Sequence, residues 1–345
     1  MKYFVFSSYI NAYSIRRGLT HLGLDLHVAA EESTLLRKSH EWPAAGDTLF
    51  FTDEKSLKKF YGQEYEFYPK EIPWHLIDDK FEFAKFLVSL SEMPVPFASV
   101  DNNNFAFPFI LKAKHSWLGD SKLPRGFVCK SDEDRTNALA KLASMKIERQ
   151  NFFCQKFLPE NNGNNISVCG FFDHTDVRRN LMIVTAKVSG YPRTISTGVV
   201  VATIRDPREL RMRTTLILNK LSYSGPFEME FFYDKQNDAY YVLELNPRFW
   251  MQHGLFVAAY ENGLLKRYLK IDTPNDWLAE HSFKKLLWID MIAIFFSLFH
   301  FRIDIILQIV RHILKGYRPY SFPNTMAAIL YLPRMLSRKL KKVSK

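Results

Sequence analysis

Four side chains in the second half of the chain have the types and spacing to hold a divalent cation: Glu228, Glu230, Glu244 and Asn246. They lie within residues 225–254, where two runs rich in aromatic and aliphatic residues flank a polar segment, Lys235 to Ala239. That pattern predicts a β-hairpin with a loop of about five residues. If Asp234 faces Tyr240, counting outward sets Glu230 opposite Glu244 and Glu228 opposite Asn246. Side chains alternate across a strand, so these four share one face, and Met229, Phe231, Leu243 and Leu245 share an apolar one. Like charges directly opposite on paired strands destabilise a sheet, which argues for a cation between them. Hard oxygen ligands suit Mg²⁺, which keeps some of its water and also binds substrate phosphates; Mn²⁺ is the alternative ion. The competing reading is a solvated outer face on which acids cost little. The Asn-Pro-Arg that follows at 246–248 favours the metal.

A second signal is Lys112, which interrupts the apolar run Phe107 to Ala113. Burying an unpaired ammonium is costly, and a nucleotide phosphate would compensate it. The loop Lys114 to Gly126 that follows contains Gly119, Ser116 and Ser121, and its backbone amides could fold over a triphosphate.

The run Glu244-Leu245-Asn246-Pro247-Arg248-Phe249-Trp250, with Glu230 fourteen positions before Glu244, resembles the metal-binding end of the ATP-grasp superfamily. That superfamily includes carbamoyl-phosphate synthetase, biotin carboxylase and the D-alanine–D-alanine ligases. The ending Arg-Phe-Trp is similar to a branch of predicted ATP-dependent carboligases. The resemblance implies an α/β and α+β chain of ATP-grasp fold. It would have a small parallel α/β N-terminal domain, two α+β nucleotide-clamping subdomains and a basic, mainly helical C-terminal extension. It implies ATP and Mg²⁺ as cofactors, with Glu230, Glu244 and Asn246 as metal ligands and Arg248 as the catalytic cation. It carries Lys80 and Lys112 over to the nucleotide phosphates. It also carries the hinge Gln155, Lys156, Phe157 and Leu158 over to adenine. Lys187, and Arg193 in the turn after it, fit either a γ-phosphate or an acidic substrate; a plain surface role fits them equally. The implied activity is a ligase joining a carboxylate to an amine through an acyl phosphate, releasing ADP and phosphate, in cell-surface glycan or natural-product synthesis. Small-molecule acids and amines are then the partners.

These residues need elements to carry them. Strands over Lys2–Ser7, Leu24–Ala30 and Asp47–Thr52 alternate with helices over Asn11–Leu22 and Asp53–Tyr61, which argues for a small parallel sheet. No Gly-x-Gly-x-x-Gly follows the first strand, so a dinucleotide site is not supported. Asp78-Asp79-Lys80 opens a helix through Leu90, and Pro94 and Pro96 stop it. A helix over Asp132–Ile147 precedes a strand over Asn151–Leu158. Glu160 to Asn165 is a turn, with Asn164 and Asn165 where the resemblance puts an acidic ribose ligand. Three strands follow at Ile166–Phe172, Leu181–Ser189 and Ile195–Ala202. A helix over Pro207–Leu221 then carries Arg208, Arg211 and Arg213 on a solvated face, and another over Leu255–Leu269 follows the hairpin. The expected divisions are 1–74, 75–154, 155–272 and 273–345.

The chain has 345 residues, 47% hydrophobic, 24% charged and an unusually high 15% aromatic, which is ample for a buried core. Cys129, Cys154 and Cys169 show no Cys-x-x-Cys spacing, and the first ten residues lack an apolar signal core, so a reducing cytoplasm is expected. Residues 276–345 hold twelve Lys or Arg against four Asp or Glu, a net +8 of the total +11. They lack the aromatic interleaving of a nucleic-acid platform, so no nucleic acid is expected. The uncharged stretch Met291–Phe301 is too short to span a bilayer. Leu332, Met335, Leu336 and Leu340 fall on one helical face beside Arg334, Arg338, Lys341 and Lys342. That tail suits either peripheral contact with the inner membrane face or packing on the enzyme body. The functional alternative is a nucleotide-binding module docked through this tail.

Overall fold

A computed structural model describes residues 2–6, 9–28, 42–69, 72–102, 104–119, 121–159, 163–191, 196–205, 207–260, 262–271, 283–298 and 300–321. The chain begins with β1 (Tyr3–Phe6), α1 (Tyr9–His21), β2 (Leu26–Val28), β3 (Thr48–Phe51) and α2 (Glu54–Phe60). The three strands pair in parallel in the order β2-β1-β3, and α1 supplies the crossover that parallel pairing requires. Both faces of this sheet are covered. Phe4, Leu49 and Phe51 pack with Leu57 and Phe60 of α2, while Val5 and Phe50 join Phe249 and Trp250 in the main core. Asp53 caps α2 by accepting from the Ser56 amide at 2.8 Å, which fixes where that helix enters the cleft described below.

Next come α3 (Trp74–Ile77), α4 (Lys80–Ser89), β4 (Phe97–Ser99), β5 (Phe109–Ala113), β6 (Trp117–Leu118), β7 (Ser121–Lys122), β8 (Gly126–Cys129), α5 (Asp132–Ser144) and β9 (Phe152–Lys156). An antiparallel sheet β4-β9-β5-β8 carries α5 through Ala138 and Leu142 against Phe109, Leu111 and Phe152. Asp79 caps α4 and Ser131 caps α5, each bonding amides of the first turn. The loop after β5 is partly ordered into the small β6–β7 hairpin, which its scattered polar residues did not announce.

The last body holds β10 (Asn165–Asp173), β11 (Leu181–Tyr191), β12 (Thr197–Thr203), α6 (Arg208–Lys220), β13 (Ser224–Asp234) and β14 (Ala239–Asn246). After these come α7 (Leu255–Tyr260), α8 (Gly263–Leu269), β15 (Leu286–Ile289), α9 (Met291–Leu298), α10 (Ile303–Leu314) and β16 (Arg318–Ser321). Seven strands run in the order β14-β13-β10-β11-β12-β15-β16.

Two expectations are corrected here and one is extended. The C-terminal extension, expected as mainly helical, holds α9 and α10 among the described residues and also contributes β15 and β16 to the main sheet. Leu286–Ile289 is buried on both sides, and a short continuous apolar run does not distinguish strand from helix. The single helix over Leu255–Leu269 is two, broken at Asn262, whose φ of 65° is left-handed. Of the three arginines assigned to a solvated face, only Arg208 is exposed. Arg213 donates to Glu92 at 2.7 Å and to the Tyr240 carbonyl at 2.9 Å, and Arg211 reaches the Met182 carbonyl. Among the described residues, no helix is long and apolar enough to cross a membrane. The tail residues 332–345, Arg193, and residues 160–162 of the turn expected near the ribose lie outside the described residues.

Candidate nucleotide and metal site

Strands β13 and β14 pair Glu230 with Glu244 and Glu228 with Asn246, the arrangement that counting outward predicts. The turn end differs. Asp234 faces Ala239 rather than Tyr240, and a β-bulge between Glu230 and Phe231 absorbs the one-residue difference. The bulge has a local consequence. Val242 takes the core position opposite Phe231, and Leu243, expected in the apolar face, is half-buried and lines the cleft instead. Met229, Phe231 and Leu245 are buried as expected.

The Asn246 amide donates to Glu228 Oε2 and to Glu230 Oε1, both at 3.1 Å. One side-chain nitrogen thus orients two carboxylates, and its oxygen remains as a further hard ligand. Burial, reinforced by the neighbouring Glu230 charge, pushes Glu228 up to about 8. Burial and Glu244 likewise raise Glu230. For Glu244 burial acts upward too, but the charges of Lys112, Lys80 and Arg248 outweigh it and hold this carboxyl low. Among the described residues no group of three or more His, Cys, Asp or Glu could hold a metal alone. Two carboxylates and an amide are nevertheless what Mg²⁺ takes from a protein when phosphate oxygens and water complete its shell. A crowded pair of acids and an all-oxygen donor set fit that ion.

One cleft of roughly 1820 Å³ is lined by Lys80, Lys112, Gln155, Lys156, Phe157, Leu158, Lys187, Glu230, Glu244, Asn246 and Arg248. It is larger than an ordinary single-ligand pocket, leaving space for a nucleotide and a second substrate. Lys112 Nζ lies 3.2 Å from Gln155 Oε1, to which it donates, and 3.6 Å from Glu244 Oε2. Its charge is therefore compensated within the protein, where the sequence suggested that a phosphate must do so. Burial still lowers its proton affinity, with Glu244 working against that shift. Lys80, the first residue of α4, bonds Ser116 Oγ of the loop after β5. Lys187 on β11 donates to the carbonyl and hydroxyl of Ser196, both at 3.3 Å. At the hinge, the Lys156 and Phe157 amides are already given to the carbonyls of Pro96 and Pro108. Ile110, Phe157, Leu158 and Phe232 provide apolar lining there. Asn165 lines the same cleft, and the Asn164 and Asn165 side-chain oxygens are buried without a partner among the described residues.

Arg248 Nε donates to Glu54 Oε1 at 2.7 Å, and Nη1 to the Phe249 carbonyl. Glu54 starts α2, so the first α/β unit reaches into the cleft and holds this guanidinium. No sequence signal could link residues so far apart in the chain. Glu228, which period-two counting sets on the same face as Glu230, is tied to it through Asn246, although the resemblance assigns it no ligand role. One further residue was missed. His115, on the loop over the cleft, meets Asp78 at 2.7 Å, beside Lys58.

Two clamping sheets around a charged cleft, with paired carboxylates on a hairpin of the second, define the ATP-grasp fold. Residues 102–274, half of the chain, match the family model described as the carbamoyl-phosphate synthase L chain, ATP binding domain, and the protein belongs to this ATP-grasp family. Comparison with curated proteins gives no match. Among solved structures the chain is similar to Rhizobium etli pyruvate carboxylase, with a TM-score of 0.59 and 15% identity over 81% of this chain and 30% of that one. It is also similar to Campylobacter jejuni biotin carboxylase (TM-score 0.56, 14% identity, 81% and 72% covered). Thermotoga maritima phosphoribosylamine–glycine ligase is a third such structure (TM-score 0.57, 14% identity, 78% and 76% covered). The chain thus spans less than a third of the pyruvate carboxylase and most of the other two. At these identities the likeness concerns the fold.

Proposed function

We propose that the protein is an ATP-dependent ligase that joins a carboxylate to an amine through an acyl phosphate, releasing ADP and phosphate. The observation that carries this reading is the registered Glu230–Glu244 pair with Asn246, with Lys112 Nζ 3.6 Å from Glu244. In the proposal these three residues hold Mg²⁺, which when bound neutralises phosphate charge. Lys80, Lys112 and Lys187 offset the rest of the triphosphate charge, and the apolar hinge at Gln155–Leu158 takes the adenine. Arg248 steadies the oxyanion that develops when the amine adds to the activated carboxyl. Its hydrogen bonds among the described residues run from Nε and Nη1. Phosphoryl transfer asks for positioning and charge neutralisation more than for a nucleophile, and the cleft is built from cations and oxygen ligands accordingly.

The chain would divide for this work into residues 1–74, which shape the acceptor side, and the two clamping units that follow. A screen of amino acids and sugar acids, each paired with amines and Mg²⁺-ATP, should give phosphate release with one pair. Release that persists unchanged in Glu244→Gln, or no release with nucleotide binding intact, would sink the ligase reading.

A further inference from the structure

Helix α10 packs one side onto the sheet and turns a second apolar side to solvent. Ile305 is buried, and Ile306 and Ile309 pack with it against Val188, Val200 and Leu287. The opposite stripe is Ile303, Leu307, Val310 and Leu314, exposed by 59%, 64%, 48% and 81%. Their spacing of four, three and four residues aligns them along one line of the helix, about 16 Å long. Phe301, just before the helix, is 85% exposed and holds a left-handed φ of 53°, a conformation that costs an aromatic residue energy. Met291 and Phe295 of α9 are exposed as well. A patch of this kind on a folded surface marks an interaction site rather than scattered surface hydrophobes.

Charge selects the occupant. Arg311, Lys315 and Arg318 are exposed at the C-terminal end of α10, where Lys285 Nζ also bonds the Lys315 carbonyl. The one acid of the helix, Asp304, is matched by two bonds from Arg302, each 2.8 Å. A second copy docked by symmetry would offer the same face, whose helix carries no acid beyond Asp304 to meet these cations. Residues 332–345 of the chain itself carry six Lys or Arg and no acid, so they are no better matched. An anionic lipid surface satisfies both the apolar stripe and the basic end, as in-plane amphipathic helices do.

We infer that the α9–α10 face docks the protein on an anionic bilayer, with α10 lying in the plane of the surface. The fold permits this without blocking the cleft. The paired residues Lys187 and Val201 line the cleft, whereas the adjacent pair Ala186 and Ala202 points to the other sheet face, where Ala202 packs in the core shared with Ile294 and Ile305. Docked through α10, the enzyme would open its cleft away from the lipid.

The test is co-sedimentation of the full chain with vesicles of phosphatidylcholine alone and of phosphatidylcholine mixed with phosphatidylglycerol. The mixed vesicles should bind at least about tenfold more protein, and added salt should reduce the difference. Leu307→Ser with Leu314→Ser should lower binding by about tenfold while leaving the melting temperature unchanged, because both side chains are already in water. A second readout avoids any folding defect in that variant. The native cysteines are all buried, so Phe301→Cys accepts a polarity-sensitive dye selectively, and its emission should shift to the blue on mixed vesicles. No binding by the unaltered chain overturns the proposal. So does binding that survives the double substitution without a dye shift, which would place the contact elsewhere on the chain. Self-association in light scattering that the double substitution abolishes, without vesicle binding, overturns it in favour of a second copy.

Discussion

Glu228, Glu230 and Glu244 stand on two paired strands with one amide, Asn246, serving two of them. Lys80, Lys112, Lys187 and Arg248 come from four separate stretches of chain, and each has a partner of its own: Ser116, Glu244 with Gln155, Ser196 and Glu54. The acidic wall is fixed by backbone register and crowded with like charge, and Lys112 meets it at Glu244. On the basic wall Lys112 and Arg248 meet carboxylates, whereas the bonds of Lys80 and Lys187 go to the uncharged oxygens of Ser116 and Ser196. Substrates must then compete with protein partners on the basic wall, whereas a metal relieves repulsion on the acidic one. Substitutions on the two walls should behave differently.

The largest effect belongs to the acidic wall. Glu244→Gln should lower Mg²⁺-dependent phosphate release by at least about a hundredfold, the usual loss for one preorganised charge contact. Near-normal release would remove Glu244 from the site and end the contrast between the walls.

Lys112→Met comes next. It should weaken nucleotide binding by about tenfold and also lower the melting temperature, since it strips a buried carboxylate of its partner. From the sequence alone the opposite effect on stability was expected, because Lys112 looked like an uncompensated charge. Calorimetry with ATP beside a thermal melt of the free protein separates the two effects. A more stable variant would mean that Glu244 does not need this lysine.

Glu54→Gln should lower turnover less than Arg248→Gln does, because it loosens Arg248 without removing it. If it matches the loss in Arg248→Gln, the α/β unit does more than position this arginine.

The smallest effect is a pH dependence. Glu228, ordinarily near 4.5 and pushed up to about 8, binds its proton more tightly folded than unfolded. Its contribution to stability is therefore complete below 4.5 and lost as the pH rises through 8. In chelator, the melting temperature of the unaltered protein should fall relative to that of Glu228→Gln across that window. Parallel curves would show that Glu228 is not protonated at neutral pH.

Much of this was legible in the residues because the relevant signals are local. Alternation along β13 and β14 sets the acids on one face, and Asp53, Asp79 and Ser131 announce their helices. The hairpin register was right at the carboxylate end although the turn was placed one residue off, since a bulge at Leu243 makes up the difference. Bulges of this kind leave no compositional trace. Long-range partners were not legible at all. The Glu54–Arg248 bond spans 194 positions, and Lys112 could be seen to need a negative charge but not to have one. Leu286–Ile289 failed for another reason: four apolar residues in a row have no period to read.

That short strand has a practical consequence. The family match stops at residue 274, a natural place to cut the chain for expression. In the fold, Val200, Val201 and Ala202 of β12 are paired with Ile289, Trp288 and Leu287 of β15. Cutting at 274 would leave β12 as a bare outer strand, its backbone donors and acceptors unpaired and Val200 and Ala202 stripped of their cover. Such an edge recruits other copies of itself. A shortened protein of that kind would be recovered as aggregate, and its inactivity would say nothing about the cleft.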